Sequence, residues 1–369
     1  MDLNPMSPRI WKEIHAHMAT AGAQHIIQQV LIHPEHKPGM PLPIRASAQG
    51  RRYDEEEIRR ELDNAMNILF IEFMGRGRFD DYIASAAQQK ERFPSQVLWQ
   101  IFDCLFRGVC GMAYPEAFRN RGLDFFKDDI PQTRETSINM PDCRFYPGSW
   151  EASIVHYDID TVNVLIGDFD KTEHNIVPLI KIADLGLATP FYLGIPWDKM
   201  WARRKVGKSS IYPPEATSHE WDYHEIHPSW LRCMTGGNYG YWTNLYQIAL
   251  IMWQLITLCR LEMPPQPVPW TVEREDGTLQ AVWTYGERVL DAAYNDIDVE
   301  LRELVAMCMC DNPEHRPTLE VIEGYLDKFA KTSGPEDPEE QAAQDWARRI
   351  FGGPPPPQPS MSMAGLAFI

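Results

Sequence analysis

Two strings decide how this 369-residue chain is read: Ile154-Val155-His156-Tyr157-Asp158-Ile159-Asp160-Thr161-Val162-Asn163-Val164-Leu165 and Lys181-Ile182-Ala183-Asp184-Leu185-Gly186-Leu187. The first has the form H-x-D-x-x-x-x-N and runs into an apolar strand. The second is an apolar strand that ends in D-L-G, where Gly186 gives the backbone freedom to turn. Moving a phosphoryl group onto a hydroxyl needs one carboxylate to orient the hydroxyl and receive its proton. It also needs hard oxygen ligands that hold magnesium on the phosphates. Asp158 supplies the first group, and Asn163 and Asp184 supply the others, in that order along the chain.

Outward from these strings the pattern is mixed helix and strand. Residues 8–20 read as a helix on Ile10, Ile14 and Met18, and 26–32 as a strand. The proline-bearing stretch 33–52 reads as an inserted loop. Residues 55–66 read as a charged helix and 67–74 as an apolar strand stopped by Gly75-Arg76-Gly77. From Asp80 to Met112 the period is helical, through Ile83, Val97, Ile101, Leu105 and Val109. An irregular stretch covers 190–240, and helices are expected over 241–259, roughly 297–310, and 318–331. After Thr332 the composition becomes acidic and proline-bearing. Residues 341–351 can form one amphipathic helix, and 352–360, with their run of prolines, should be extended. The tail 332–369 is expected to be mobile, with a proline-binding module as a possible partner.

Composition limits the function classes. The chain is 44% hydrophobic and 24% charged, ordinary for a globular protein with a large core. Its net charge of -17 repels nucleic-acid backbones and anionic lipid, so neither is expected as a partner. The apolar run 245–259 is shorter than the ~18 residues a membrane span needs. It carries Gln247 and Gln254 and is expected to be a buried core helix. The seven cysteines are odd in number, with no C-x-x-C, and read as reduced thiols in a cytoplasmic or nuclear protein. The N-terminus lacks the pattern of a secretion signal. His219, His224, His227 and Cys233 could suggest zinc, but their spacing matches no common finger and the stretch is polar.

On these motifs, the chain resembles the eukaryotic protein kinases across most of its length. The family's H-R-D catalytic loop with its following Asn, its D-F-G and its A-P-E have counterparts in His156-Tyr157-Asp158 with Asn163, Asp184-Leu185-Gly186 and Pro213-Pro214-Glu215. Asn312-Pro313-Glu314-His315-Arg316-Pro317-Thr318 resembles the family's D-P-x-x-R-P-T, which implies an Arg316–Glu215 ion pair. The resemblance implies an α+β protein kinase-like fold: a mostly helical large lobe over 75–331, an incomplete β-rich small lobe over 1–74, then the tail. It implies ATP and Mg2+ as cofactors, with Asp158 as the base-like residue and Asn163 and Asp184 as metal ligands. It also implies Ile71 as gatekeeper, backbone adenine contacts at Glu72 and Met74, and Leu165 as the floor under the adenine. His156 is expected to be a packed structural histidine.

The departures are at the front and in the loop. No G-x-G-x-x-G precedes residue 70 and no V-A-I-K lysine occurs. Residues 8–32 resemble a first helix and fourth strand, which makes Glu13 the glutamate that normally pairs with that lysine. This pattern implies a small lobe that is truncated, cut short by an incompletely defined gene, or genuinely reduced. Asp160 stands where a phosphate-contacting lysine is usual, and Lys208 or Arg204 is the candidate to compensate. Tyr157 replaces the loop arginine, so activation by phosphorylation there is not expected. Arg78 occupies a position often acidic for ribose binding, and Asn244 replaces the Asp that braces the catalytic loop. The expected function is a phosphotransferase moving the ATP γ-phosphate to a protein Ser/Thr hydroxyl, with weak activity. The alternative is a pseudokinase acting on partner proteins as a binding scaffold. A small-molecule kinase of the aminoglycoside type is disfavoured by Pro213-Pro214-Glu215 and Arg316.

Overall fold

The computed structural model describes residues 8–29, 69–115, 153–191, 195, 197–223, 234–259, 266–273, 277–332 and 338–353. The inserted loop 33–52, the charged helix 55–66, His224, His227, Cys233 and the proline run from 354 lie outside them. The architecture is α+β and compatible with a kinase-like fold.

The core is helical. Ser95–Ala113 (α3) and Tyr241–Thr257 (α6) are packed against each other, and both are apolar on nearly every face. Such helices are stable only when enclosed, and Phe102, Leu105, Val109, Ile248 and Ile251 are almost wholly buried. The expected buried helix is therefore α6. It starts at Gly240, whose N–H is met by the Thr243 hydroxyl at 3.1 Å, and stops where Leu258 turns left-handed at φ 53°. The single helical run expected over 80–112 is broken in two. Phe79–Gln89 (α2) ends on Lys90 in the left-handed region at φ 55°, and Pro94 holds an extended N-cap before α3.

Short ladders line one rim of this core. Ser153–Val155 (β1) pairs antiparallel with Thr189–Phe191 (β4), and Val164–Ile166 (β2) pairs with Ile180–Ile182 (β3). In the second hairpin Val164 and Ile166 face Ile182 and Ile180 on the buried side, and Leu165 faces Lys181 on the other. Pro8–Ala19 (α1) lies over the turn 185–187. The strand expected over 26–32 is reduced, within its described part, to bridges at Ile26↔Ile182 and Gln29↔Ile71.

Trp197–Arg203 (α4) and Pro214–Thr217 (α5) punctuate the stretch before α6. Beyond α6, Val268–Glu273 (β5) and Leu279–Thr284 (β6) form a hairpin additional to the elements expected from the sequence. Val299–Cys308 (α7) and Leu319–Thr332 (α8) follow. Within the tail, the amphipathic helix expected over 341–351 is present as Pro338–Phe351 (α9), and it is packed. Ala343, Ala347 and Phe351, spaced four apart, are buried. The Phe351 ring lies 5.0 Å from Tyr82, Trp346 lies 5.0 Å from Phe93, and Arg76 donates to Phe351 O at 2.6 Å. Burial of this aromatic stripe ties down a segment whose composition alone reads as loose. No described helix is long and apolar enough to cross a membrane.

Candidate functional site

The H-x-D string forms the turn between β1 and β2, and two amide side chains of α6 hold it from below. His156 N donates to Asn244 Oδ1 at 3.0 Å, and Asn244 Nδ2 donates to Ile154 O at 2.8 Å. Asn244 thus braces both the loop and its strand without a charge. Gln247 does the same one turn on: its Oε1 accepts from Ile159 N and its Nε2 donates to Ile211 O, both at 3.3 Å. Both amides are fully buried. Read as a sequence, Gln247 signals only that α6 is not a membrane span. Its role needs the packed neighbour.

His156 is structural, as expected. Its Nδ1 accepts from Asp158 N at 3.2 Å, so the hydrogen sits on Nε2, which faces Ala183 O at 3.0 Å. Burial favours this neutral form and brings its pKa down to about 4.

Asp158 and Asn163 are brought together. Asn163 Nδ2 donates to Asp158 O at 2.8 Å and to Asp158 Oδ2 at 3.0 Å. With the amide nitrogen directed at Asp158, Asn163 Oδ1 is the atom left to meet a cation. Ala183 N donates to Asn163 O at 2.8 Å, which sets the Asp184 turn directly beside this loop. Asp184 is exposed and left-handed at φ 62°, and its carboxylate accepts from Gly186 N at 3.3 Å. Glu13 reaches the same turn from α1: a β-carbon on Gly186 would stand 3.2 Å from Asp184 Oδ1 and 3.5 Å from Glu13 Oε2. Burial, then the Asp184 charge, pushes the Glu13 carboxyl above its usual range.

The charge inverted at Asp160 is answered across the cleft. Lys208 Nζ lies 2.7 Å from Asp160 Oδ2 and 3.4 Å from Asp158 Oδ2. Burial opposes the Lys208 charge, but the Asp160 and Asp158 carboxylates outweigh it and raise its pKa. Burial also lifts Asp158 above the usual carboxylate range, with Lys208 pulling the other way. Gly207 makes this approach possible. At φ +96° its Cα passes so near the loop that a β-carbon would sit 2.2 Å from Tyr157 O. The other candidate, Arg204, donates to Ala216 O instead and lies over the Trp201 and Trp221 rings.

Ile71, Glu72, Met74 and Leu165, expected to contact adenine, lie on the 69–74 segment and on β2. Glu72 is tied into structure: its amide donates to Gln28 O at 2.9 Å, and its Oε1 accepts from Gln28 N at 2.7 Å and from buried Lys181 Nζ at 2.6 Å. Ile71, assigned to the back of a nucleotide cleft, is 43% exposed, and Phe73 beside it is 56% exposed. Met74 rests on Gly167, where a β-carbon would be 3.0 Å from Met74 Cε. Leu165 is half-buried on the hairpin face that also carries Lys181. Arg78 is paired with Asp80 and Asp81 at 3.3 and 3.4 Å.

The Pro213-Pro214-Glu215 string is anchored as expected. Arg316 grips Glu215 with both guanidinium nitrogens, at 2.8 and 2.9 Å, and both side chains are fully buried.

No family model matches the chain. Over 185 residues, 50% of its length, it is 24% identical to "Probable serine/threonine-protein kinase roco7" of Dictyostelium discoideum. The chain covers 6% of that much longer protein. The motif order, the α+β architecture and this similarity together indicate a distant, kinase-like relationship.

Proposed function

We propose that this chain is a protein kinase-like phosphotransferase that moves the γ-phosphate of ATP to a Ser/Thr hydroxyl of a protein substrate, with low activity. One observation carries the reading: Asp158 is hydrogen-bonded to Asn163 with the ammonium of Lys208 beside it, 3.4 Å away. A loop that only needed to fold would not require a carboxylate, a directed amide and a lysine at one rim.

The donor set fits magnesium. Asn163 Oδ1 and the Asp184 carboxylate are hard oxygens on adjoining turns, and Glu13 adds a second carboxylate beside Asp184. A divalent cation held there supplies charge neutralisation on the phosphates. Asp158, raised by burial, orients the acceptor hydroxyl and takes its proton. Lys208 stands in for the missing loop lysine, at the cost of sharing its charge with Asp160.

The test is transfer of labelled phosphate from ATP to serine- and threonine-containing peptides, with and without magnesium. Turnover that is lost in Asp184→Asn supports the assignment. A protein with no magnesium-dependent melting shift at millimolar ATP and no transfer refutes it. That outcome favours the second reading, a pseudokinase scaffold, for which the exposed Ile71 and the engaged Glu72 speak.

A further inference from the structure

Among the described residues, one buried cluster of metal-ligating side chains is left unexplained by the motif residues. His25, Cys104 and His174 come from the segment before β-bridge Ile26, from the middle of α3, and from the β2–β3 connection. One ligand atom of each lies within 4.8 Å of the other two. All are buried, at 2%, 4% and 4% exposure.

We propose that His25, Cys104 and His174 are the three protein ligands of a zinc site, its fourth tetrahedral position left to water, that fastens residues 23–29 to the helical body. Three features of the geometry support it. First, the two Nε2 atoms are 3.2 Å apart, close to the ~3.3 Å edge of a tetrahedron with Zn–N bonds of about 2.0–2.1 Å. Second, His174 Nδ1 faces Asp170 Oδ2 at 2.7 Å. That contact keeps the ring hydrogen on Nδ1 and presents the Nε2 lone pair to the cluster, the usual carboxylate–histidine–metal arrangement. Asp170 is itself held, because its Oδ1 accepts from the N–H groups of Thr172, Glu173 and His174. Asp170 is thus a positioning residue for the ligand His174. Third, the backbone is built for the approach. Gly108, one helical turn after Cys104, would put a β-carbon 3.1 Å from His25 O, and Ile182 N donates to that same oxygen at 2.9 Å.

On binding Zn2+ the thiol proton passes to solvent and the two imidazoles bind neutral. Imidazole and thiolate together suit zinc better than magnesium or calcium, which take oxygen. The site is separate from the Asp158 rim, so it stands or falls independently of the proposed transferase activity.

The experiment uses the full chain, purified without a histidine tag and dialysed. Metal analysis should give about one zinc per chain, falling at least tenfold in Cys104→Ser and in His174→Asn. Cys259→Ser, a control at a half-buried free cysteine, should bind like the parent. Asp170→Asn should weaken zinc about 10–100-fold, the range found for partners of metal-bound histidines. Cobalt titration of the chelator-treated parent needs no substitution and so decides the matter even if variants misfold. A thiolate-to-cobalt charge-transfer band with tetrahedral d–d absorption is expected. Absence of that band, or Cys104→Ser that keeps its zinc, overturns the proposal and leaves a metal-free hydrogen-bonded triad.

Discussion

Replacing Arg316 by Met should cost this protein a large share of its stability, and the structure sets the scale. The Arg316 guanidinium donates from Nη1 to Glu215 Oε1 and Trp242 O, from Nη2 to Glu215 Oε2, and from Nε to Cys310 O. Glu215 is 0% exposed, and without Arg316 its remaining contact in this network is the Thr243 hydroxyl at 2.9 Å. The two lost bonds to Glu215 are charge-assisted, worth ~1.5–3 kcal/mol each. Removing one partner of such a buried pair costs about 3–5 kcal/mol, because the other charge is left uncompensated. At ~2–4 °C per kcal/mol for a domain of this size, Arg316→Met should melt roughly 6–20 °C lower. The cause is the stranded carboxylate and not lost packing, so Glu215→Leu in the same chain should rescue. The double variant should be more stable than the sum of the single losses predicts, by at least ~2 kcal/mol. Urea unfolding followed by circular dichroism on the four proteins gives the coupling. A single-variant cost below ~1 kcal/mol, or strict additivity in the cycle, refutes the reasoning.

Gly207→Ala should destabilise by about 1–3 kcal/mol, since it strains a backbone at φ +96° and drives a β-carbon to 2.2 Å from Tyr157 O; unchanged melting would count against that contact. If phosphate transfer is measurable, Lys208→Met should slow it about 10²–10³-fold, the usual effect of deleting one electrostatic contact to a charged transition state. Asp160→Lys with Lys208→Thr restores the usual loop lysine and should recover part of that loss. His156 and His17, each held near pKa 4 chiefly by burial, stay neutral in the fold while the unfolded chain takes up protons below about 6.5. Their contribution to stability is present above that pH and lost as pH falls toward 4, about 3 kcal/mol for His156. Urea midpoints measured from pH 7 to 4.5 should drop accordingly, and His156→Asn should flatten that slope.

What could be read from the sequence was whatever depends on near neighbours in the chain. His156, Asp158 and Asn163 share the turn between β1 and β2, so their spacing pointed to one loop, while the hydrogen bond from Asn163 Nδ2 to Asp158 was added by the structure. The period and apolarity of 241–259 marked a buried helix because enclosure is the only stable state for such a segment. The β5–β6 hairpin has a local signal too, in the alternating Val268–Glu273 and Leu279–Thr284 around Asp276-Gly277, but a signal that weak stands out only once the pairing is known.

Other features had no local signal. The amphipathic helix over 341–351 was legible, but Phe351 becomes an anchor only because the fold presents Tyr82 to it. Glu72 was read as a backbone hinge contact, and the ion pair of its side chain with Lys181, distant in the chain, is visible only in the fold. Lys208 was one of two candidates to answer Asp160, and only the path of the backbone at Gly207 separates it from Arg204. His25, Cys104 and His174 lie so far apart in sequence that no spacing rule joins them, and the fold alone makes them neighbours. Sequence therefore determined the spacing of the motif side chains and the identity of the core helix, because short-range geometry and solvent exclusion act on adjacent residues. Tertiary structure decided which charges meet and which buried ligands converge, because those distances depend on how separate segments pack.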